Sequence, residues 1–273
     1  MLLDNAGCLI KNPSEDAAGP GPVGLNGPAG SFITTPLELR ADEVHVWLAE
    51  LDDYSADSLR LLLAKDELER ASRFHFDKDR NHYTVTRGLL RKLLAAYLSL
   101  PSGELRFSYA EKGKPVLEES RRSSLNFNLA HSHGMAIYAF SCNREVGVDL
   151  EFIREDLADE KIAERFFSPS EIDVLATLPA ELRKQAFFDC WTRKEAYIKA
   201  RGEGLSMPLN EFDVSLRPGE AAALLRNHKD PGEVVRWSMQ SLAVPAGFVA
   251  ALVASGHDWK VRAFTVNQVP EWK

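Results

Sequence analysis

The chain has 273 residues, 45% of them hydrophobic and 27% charged, with a formal net charge of −7. Those proportions describe a soluble globular protein with room for one large domain or two small ones. The acidic balance argues against nucleic acid as the main partner, because a phosphate backbone wants a basic face; a local basic pocket stays compatible with it. The three cysteines, Cys8, Cys142 and Cys190, are far apart and odd in number, so they offer neither a zinc spacing nor a disulfide framework. No apolar run approaches the roughly 18 residues that span a bilayer, and the longest candidate, 247–254, reads as a buried strand. Asp4 stands where a signal peptide would carry its apolar core, with no basic residue before it. These features point to a cytoplasmic protein with no membrane partner.

Residues 1–31 are expected to form a disordered leader, since AAGPGPVGLNGPAG has no period and little to bury. Glu43 to Leu51 alternates like a strand. Helices are expected over Asp57 to Ser72 and Asp79 to Leu98, and Pro101 stops the second. Short strands follow at Leu105 to Tyr109, Leu125 to Leu129, Met135 to Ser141 and Glu145 to Phe152, with Lys112-Gly113-Lys114-Pro115 as a turn. Three more helices span Leu157 to Phe167, Ser170 to Thr177 and Glu181 to Arg201. Ser168-Pro169-Ser170-Glu171 supplies start signals for the middle one, and Gly202 terminates the last. The tail reads as strands at Glu211 to Leu216, Val234 to Val244, Phe248 to Val253 and Lys260 to Val266. The order strand, helices, strands occurs twice. That pattern indicates an α+β protein of two similar halves, 32–141 and 142–273.

The first chemically informative segment is Val146-Gly147-Val148-Asp149-Leu150-Glu151-Phe152. In a strand, Asp149 and Glu151 share one face, about 6–7 Å apart by strand rise. Two bare carboxylates among apolar strands repel each other and pay for desolvation. A divalent cation relieves both costs; a solvent-facing sheet side would relieve them too. The second segment runs from Phe187 to Ala200. Here Phe188, Trp191, Glu195 and Ile198 fall on one stripe, so Glu195 sits on an apolar face and needs a partner. Lys199, four residues on, is the plain alternative partner. The set Asp149, Glu151 and Glu195 is all oxygen and suits Mg²⁺, whose shell is completed by water and phosphate. Nothing in the chain resembles a zinc site.

Basic residues are the complement. Arg80, Arg87, Arg91 and Lys92 lie on the second helix, Lys112 and Lys114 in the turn, and Lys194 and Lys199 on the late helix. Arg70 and Arg73 lie upstream, and His131 and His133 follow the strand Asn126-Phe127-Asn128-Leu129. Such a set can hold a polyanion such as a nucleotide diphosphate. No P-loop and no GxGxxG is present, which disfavours the common nucleotide folds.

Six segments, in this order, resemble the surfactin-synthetase-type (Sfp-type) 4′-phosphopantetheinyl transferases: RGLLRKLL (87–94), KGKP (112–115), FNLAHS (127–132), VGVDLE (146–151), RFFS (165–168) and WTRKEAYIKARGEGL (191–205). The pair VGVDLE and WTRKEAYIKA, at this separation, is the most specific. The resemblance implies two pseudo-symmetric α/β halves, each a small antiparallel sheet packed with helices, with coenzyme A bound between them. It implies Asp149, Glu151 and Glu195 as magnesium ligands. Arg87, Lys112, Lys114 and His131 would be coenzyme A contacts, with Arg70, Arg91 and Lys194 as further ones. Lys199 would lie near the reacting pyrophosphate. One departure is Ala130, where the family often has Ser before the His; a backbone contact there would survive, a hydroxyl contact would not.

The resemblance further implies transfer of 4′-phosphopantetheine from coenzyme A to a serine of an apo acyl or peptidyl carrier protein, with release of 3′,5′-ADP. Glu195, Lys199 and Glu151 are the expected catalytic groups, and Glu195 and Glu151 compete for the role of base. Two fused halves would already enclose the cleft, so a monomer is expected. Alternatives from the residues alone are another Mg-dependent phosphoryl-transfer enzyme and a non-catalytic module that binds coenzyme A or a carrier.

Overall fold

Strand Val146–Phe152 explains the architecture, because its two faces meet different surroundings. Val146, Val148 and Leu150 enter a core shared with Val44, Val46, Ile137 and Ala139 of another sheet. Gly147, Asp149 and Glu151 face the opposite way, as period-two alternation requires. There the strand lies almost against the helix Ala180–Arg201. A Cβ on Gly147 would fall 2.1 Å from the Ala196 carbonyl oxygen and 2.3 Å from the Ala200 nitrogen, so no larger residue fits.

The computed structural model describes residues 2–3, 9–10, 37–109, 115–118, 124–154, 160–202 and 207–266. The expected leader falls mostly outside them; within it, Leu2–Leu3 pairs with Leu9–Ile10. The first half runs strand Glu43–Glu50, short helices Ala56–Arg60 and Lys65–Ala71, long helix Asp77–Leu98, the hairpin Phe107–Tyr109 with Pro115–Leu117, and strands Leu125–Ser132 and Met135–Cys142. The second half repeats the order: strand Val146–Phe152, helices Glu160–Phe166 and Pro169–Thr177, long helix Ala180–Arg201, the hairpin Phe212–Val214 with Leu224–Asn227, and strands Trp237–Ser241 and Phe248–Ser255. In each half the last strand pairs antiparallel with both the first and the one before it. Both long helices have 22 residues. The mixed fold of small sheets and helices matches the α+β expectation. The final strand, Lys260–Thr265, returns to the first sheet and pairs parallel with Glu43–Glu50.

Each long helix covers its own sheet with an apolar face. Leu89, Leu90, Leu93 and Leu94 pack with Trp47, Tyr138 and Phe140. Phe188, Ala196, Tyr197 and Ile198 pack with Phe212, Trp237 and Ala251. The two sheets then meet back to back through the shared core. Two side chains of strand Leu125–Ser132 stitch them together: Asn128 Oδ1 accepts the Val148 N–H at 3.0 Å, and Ser132 Oγ accepts the Phe152 N–H at 3.2 Å.

Local signals predict some element ends and miss others. Ser168 Oγ accepts the Glu171 N–H, the Glu171 carboxylate accepts the Ser168 N–H, and Gly202 ends its helix at φ 73°. The helix expected over 57–72 is two helices. Ser55 caps the first, and the buried Glu67 carboxylate caps the Ala64 N–H at 2.9 Å to start the second. The strand expected over 234–244 starts with a helical turn, Glu233–Arg236, because Glu233 accepts from Tyr197, Arg201 and Trp237 together. Among the described cysteines, Cys190 is a free thiol buried in the core of the second half.

Candidate active site

Where the halves meet, a cavity of about 610 Å³ opens. Its walls from the first half include Arg70, Tyr83, Arg87, Asn128 and His131; those from the second include Asp149, Glu151, Trp191, Glu195 and Lys199. The helix contributes Trp191, Glu195 and Lys199 at spacings of four. The expected stripe therefore splits: Trp191 and Glu195 face the cavity, while Phe188 and Ile198 enter the core.

Lys199 bonds Asp149 rather than its helix neighbour Glu195. Its ammonium donates to Asp149 Oδ1 at 2.6 Å. Asp149 is buried, and its second oxygen, Oδ2, has no hydrogen-bond partner. Glu151 Oε2 accepts from Ser132 Oγ at 3.1 Å. Burial, and next the charge of Asp149, raise the Glu151 carboxyl above its ordinary value. The same two causes push Glu195 up to about 7. Burial opposes the charge of Lys199, but Asp149, with help from Glu195 and Glu151, overrides it and holds the ammonium above its usual pKa.

Three carboxylates around one cavity, two resisting ionisation and one with an orphaned oxygen, make an electrostatic deficit that a cation would correct. Among the described residues no three His, Cys, Asp or Glu side chains form a ready-made cation cage. The donor set nevertheless fits magnesium, whose shell is completed by water and substrate phosphate rather than by protein alone.

The expected basic contacts divide sharply. Arg70 is exposed at the cavity wall, over the Tyr83 ring. His131 stands at the rim with one side open; the cavity walls and the nearby Lys199 charge lower its pKa. Arg87 lines the cavity but is already paired: Nε donates to Glu67 Oε1 at 2.7 Å, and Nη2 lies 2.6 Å from the same oxygen. Lys112 and Lys114 lie outside the described residues.

Two expected contacts are corrected. Arg91 is buried away from the cavity, donating from Nε to Glu67 Oε2 at 2.6 Å and from Nη1 to the Ser102 and Leu105 carbonyls. Lys194 is fully buried against Glu171 at 2.8 Å and donates to the Leu209 and Phe212 carbonyls. Each fastens a long helix to its half of the fold, and neither lines the cavity. Missing from the sequence-derived set were the aromatic walls Phe74, Tyr83 and Tyr109. Tyr83 had a readable signal, since it sits one turn before Arg87 on the same helix face.

Comparison with known proteins identifies the family. Residues 145–253 match the 4′-phosphopantetheinyl transferase superfamily, and residues 47–143 match the 4′-phosphopantetheinyl transferase N-terminal family. The chain is 39% identical over 227 residues to 4′-phosphopantetheinyl transferase HetI of Nostoc sp., covering 82% of this chain and 92% of the relative. It is 32% identical over 224 residues to a putative 4′-phosphopantetheinyl transferase of Synechocystis sp., with 82% and 88% covered. It is 34% identical over 200 residues to 4′-phosphopantetheinyl transferase psf-1 of Bacillus pumilus, with 71% and 83% covered. The chain, with its two matched halves closing on one cavity, belongs to the 4′-phosphopantetheinyl transferase superfamily.

Proposed function

We propose that the protein transfers the 4′-phosphopantetheine arm of coenzyme A to a serine of an apo acyl or peptidyl carrier protein, in the cavity between its halves. The observation that carries this reading is the meeting of Asp149, Glu151, Glu195 and Lys199 from one half with Arg70, Arg87 and His131 from the other. A polyanion spanning that cavity would touch cations at one wall and carboxylates at the other. The halves divide near residue 142, and one chain supplies both walls, so we take the working form to be a cytoplasmic monomer.

Asp149, Glu151 and Glu195 would hold a magnesium ion, which when bound neutralises pyrophosphate charge. The carrier serine oxygen bonds to the β-phosphorus of coenzyme A as the bond from that phosphorus to the bridging oxygen breaks. The bridging oxygen leaves on 3′,5′-ADP. Glu195 takes the serine proton, with Glu151 as its rival for that role. Lys199 stabilises the charge gathering on the α-phosphate. Arg70, Arg87 and His131 orient the nucleotide, joined by Lys112 and Lys114 of the KGKP segment.

Chromatography of reactions with coenzyme A, MgCl₂ and an apo carrier tests this. One 3′,5′-ADP should appear per carrier modified, and none without a carrier. Nucleotide release without carrier modification would point instead to a hydrolase. Coenzyme A binding with no release across fatty-acid, polyketide and peptide carriers would point to a non-catalytic module.

A further inference from the structure

Helix Asp77–Leu98 carries two threonines, Thr84 and Thr86, and the helix treats them differently. Thr84 follows the common pattern: its hydroxyl donates to the carbonyl of Arg80, four residues back, at 2.8 Å. Thr192 on the other long helix does the same with Phe188 at 2.9 Å. Thr86 does not. Its side chain is 2% exposed, its Oγ1 has no hydrogen-bond partner, and the residue lines the cavity between the halves.

A buried hydroxyl without a partner is costly, and native folds satisfy nearly all such groups. Valine would fill the same space without that cost. The neighbours indicate what the hydroxyl serves. Arg87, the next residue, lines the same cavity, and its Nη2 has no aligned hydrogen-bond acceptor although it lies 2.6 Å from Glu67 Oε1. Tyr138 OH donates to the Thr86 carbonyl at 3.0 Å, which ties this turn to the sheet beneath it. An unpartnered hydroxyl donor beside a guanidinium suits a phosphate oxygen.

We infer that Thr86 is a substrate contact, donating its hydroxyl hydrogen bond to a phosphate oxygen of coenzyme A. This rests on the reading that coenzyme A occupies the cavity. Thr86 thereby adds a short, directional donor to the wall that the arginines charge. The cosubstrate has two phosphate groups that could meet it, the terminal 3′-phosphate and the pyrophosphate.

Calorimetric titration of the full-length protein with coenzyme A and with dephospho-coenzyme A, which lacks the 3′-phosphate, tests the inference. Thr86→Val should weaken coenzyme A binding about tenfold, as loss of a bond to a charged acceptor does. Thr86→Ser should bind within about threefold of wild type. The ligand-free Thr86→Val protein should melt no lower than wild type, since it loses an unsatisfied group. A loss confined to coenzyme A assigns the contact to the 3′-phosphate; an equal loss with both ligands assigns it to the pyrophosphate. Wild-type affinity in Thr86→Val, or equal losses in Thr86→Val and Thr86→Ser, overturns the contact and leaves the site reading intact. No binding of coenzyme A to the wild type overturns both.

Discussion

Lys199 Nζ and Asp149 Oδ1 lie 2.6 Å apart, joining the late helix to the strand that carries the acidic pair. The bond matters because Asp149 is buried and its other oxygen is unpartnered. Without the ammonium, a buried carboxylate would stand beside two more. Lys199→Met should therefore act on both stability and turnover. Loss of a positioned donor to transition-state charge costs about 10²–10³ in kcat. Kinetics at saturating coenzyme A and carrier check this, and a variant within threefold of wild type would remove Lys199 from the chemistry.

Gly147 should be irreplaceable for a steric reason. Its missing Cβ would meet backbone atoms of the Ala180–Arg201 helix, at 2.1 and 2.3 Å. Backbone cannot swing aside as a side chain can, so Gly147→Ala must push strand and helix apart and separate Asp149 from Lys199. Little soluble protein, or a large drop in melting temperature, is expected. Gly103→Ala is the control, because a methyl group there would meet nothing within 4 Å; it should stay within about 0.5 kcal/mol of wild type.

Glu67 holds two guanidiniums with one carboxylate. It is fully buried, pairs with Arg87 and Arg91, and caps the Ala64 N–H. Breaking a buried pair from one side costs about 3–5 kcal/mol. Urea unfolding of Glu67→Gln should show a loss of that order. Its coenzyme A affinity should also change, because Arg87 loses the group that aims it into the cavity. Unchanged unfolding would show that the two arginines do not depend on Glu67.

Acid should destabilise the first half through His45. This histidine is buried; Trp47 donates to Tyr97 OH, which leaves that hydroxyl to donate to His45 Nδ1, and Nε2 faces Glu43 at 3.2 Å. Burial lowers its pKa below the ordinary 6.5, Glu43 partly opposes this, and the Arg262 charge adds to the lowering. The unfolded chain thus binds the proton more readily. The stabilisation is full above about pH 6.5 and is lost as pH falls toward the lower folded pKa. Glu43 is held below its usual value, because His45 and the nearby arginines outweigh its burial, so its own contribution fades only in a more acid window. In melting curves from pH 8 to 5, wild type should lose stability relative to His45→Gln between pH 6.5 and 5. Parallel slopes would rule His45 out.

Much of the site could be read from residue order because it rests on local rules. Alternation put Asp149 and Glu151 on one face of their strand, and helical spacing put Lys199 one turn from Glu195. What periodicity could not tell was the destination of each long cation. Arg87 and Arg91 sit one turn apart on one helix and share one glutamate, yet only Arg87 reaches the cavity. Lys194 is adjacent to Glu195 in the chain but points into the core, where Glu171 waits. Those choices depend on partners distant in sequence. The return of Lys260–Thr265 to the first sheet is likewise a long-range pairing that no local pattern announces.

The central claim is that the acidic set at the junction of the halves drives magnesium-dependent transfer to a carrier. Intact-protein mass spectrometry of an apo carrier, incubated with coenzyme A, MgCl₂ and either wild-type protein or Glu195→Gln, tests it most directly. Wild type should add one phosphopantetheine mass, lose that activity in EDTA and regain it with added magnesium, while Glu195→Gln should add little under any condition. A Glu195→Gln variant with wild-type rate and unchanged magnesium dependence would contradict the claim.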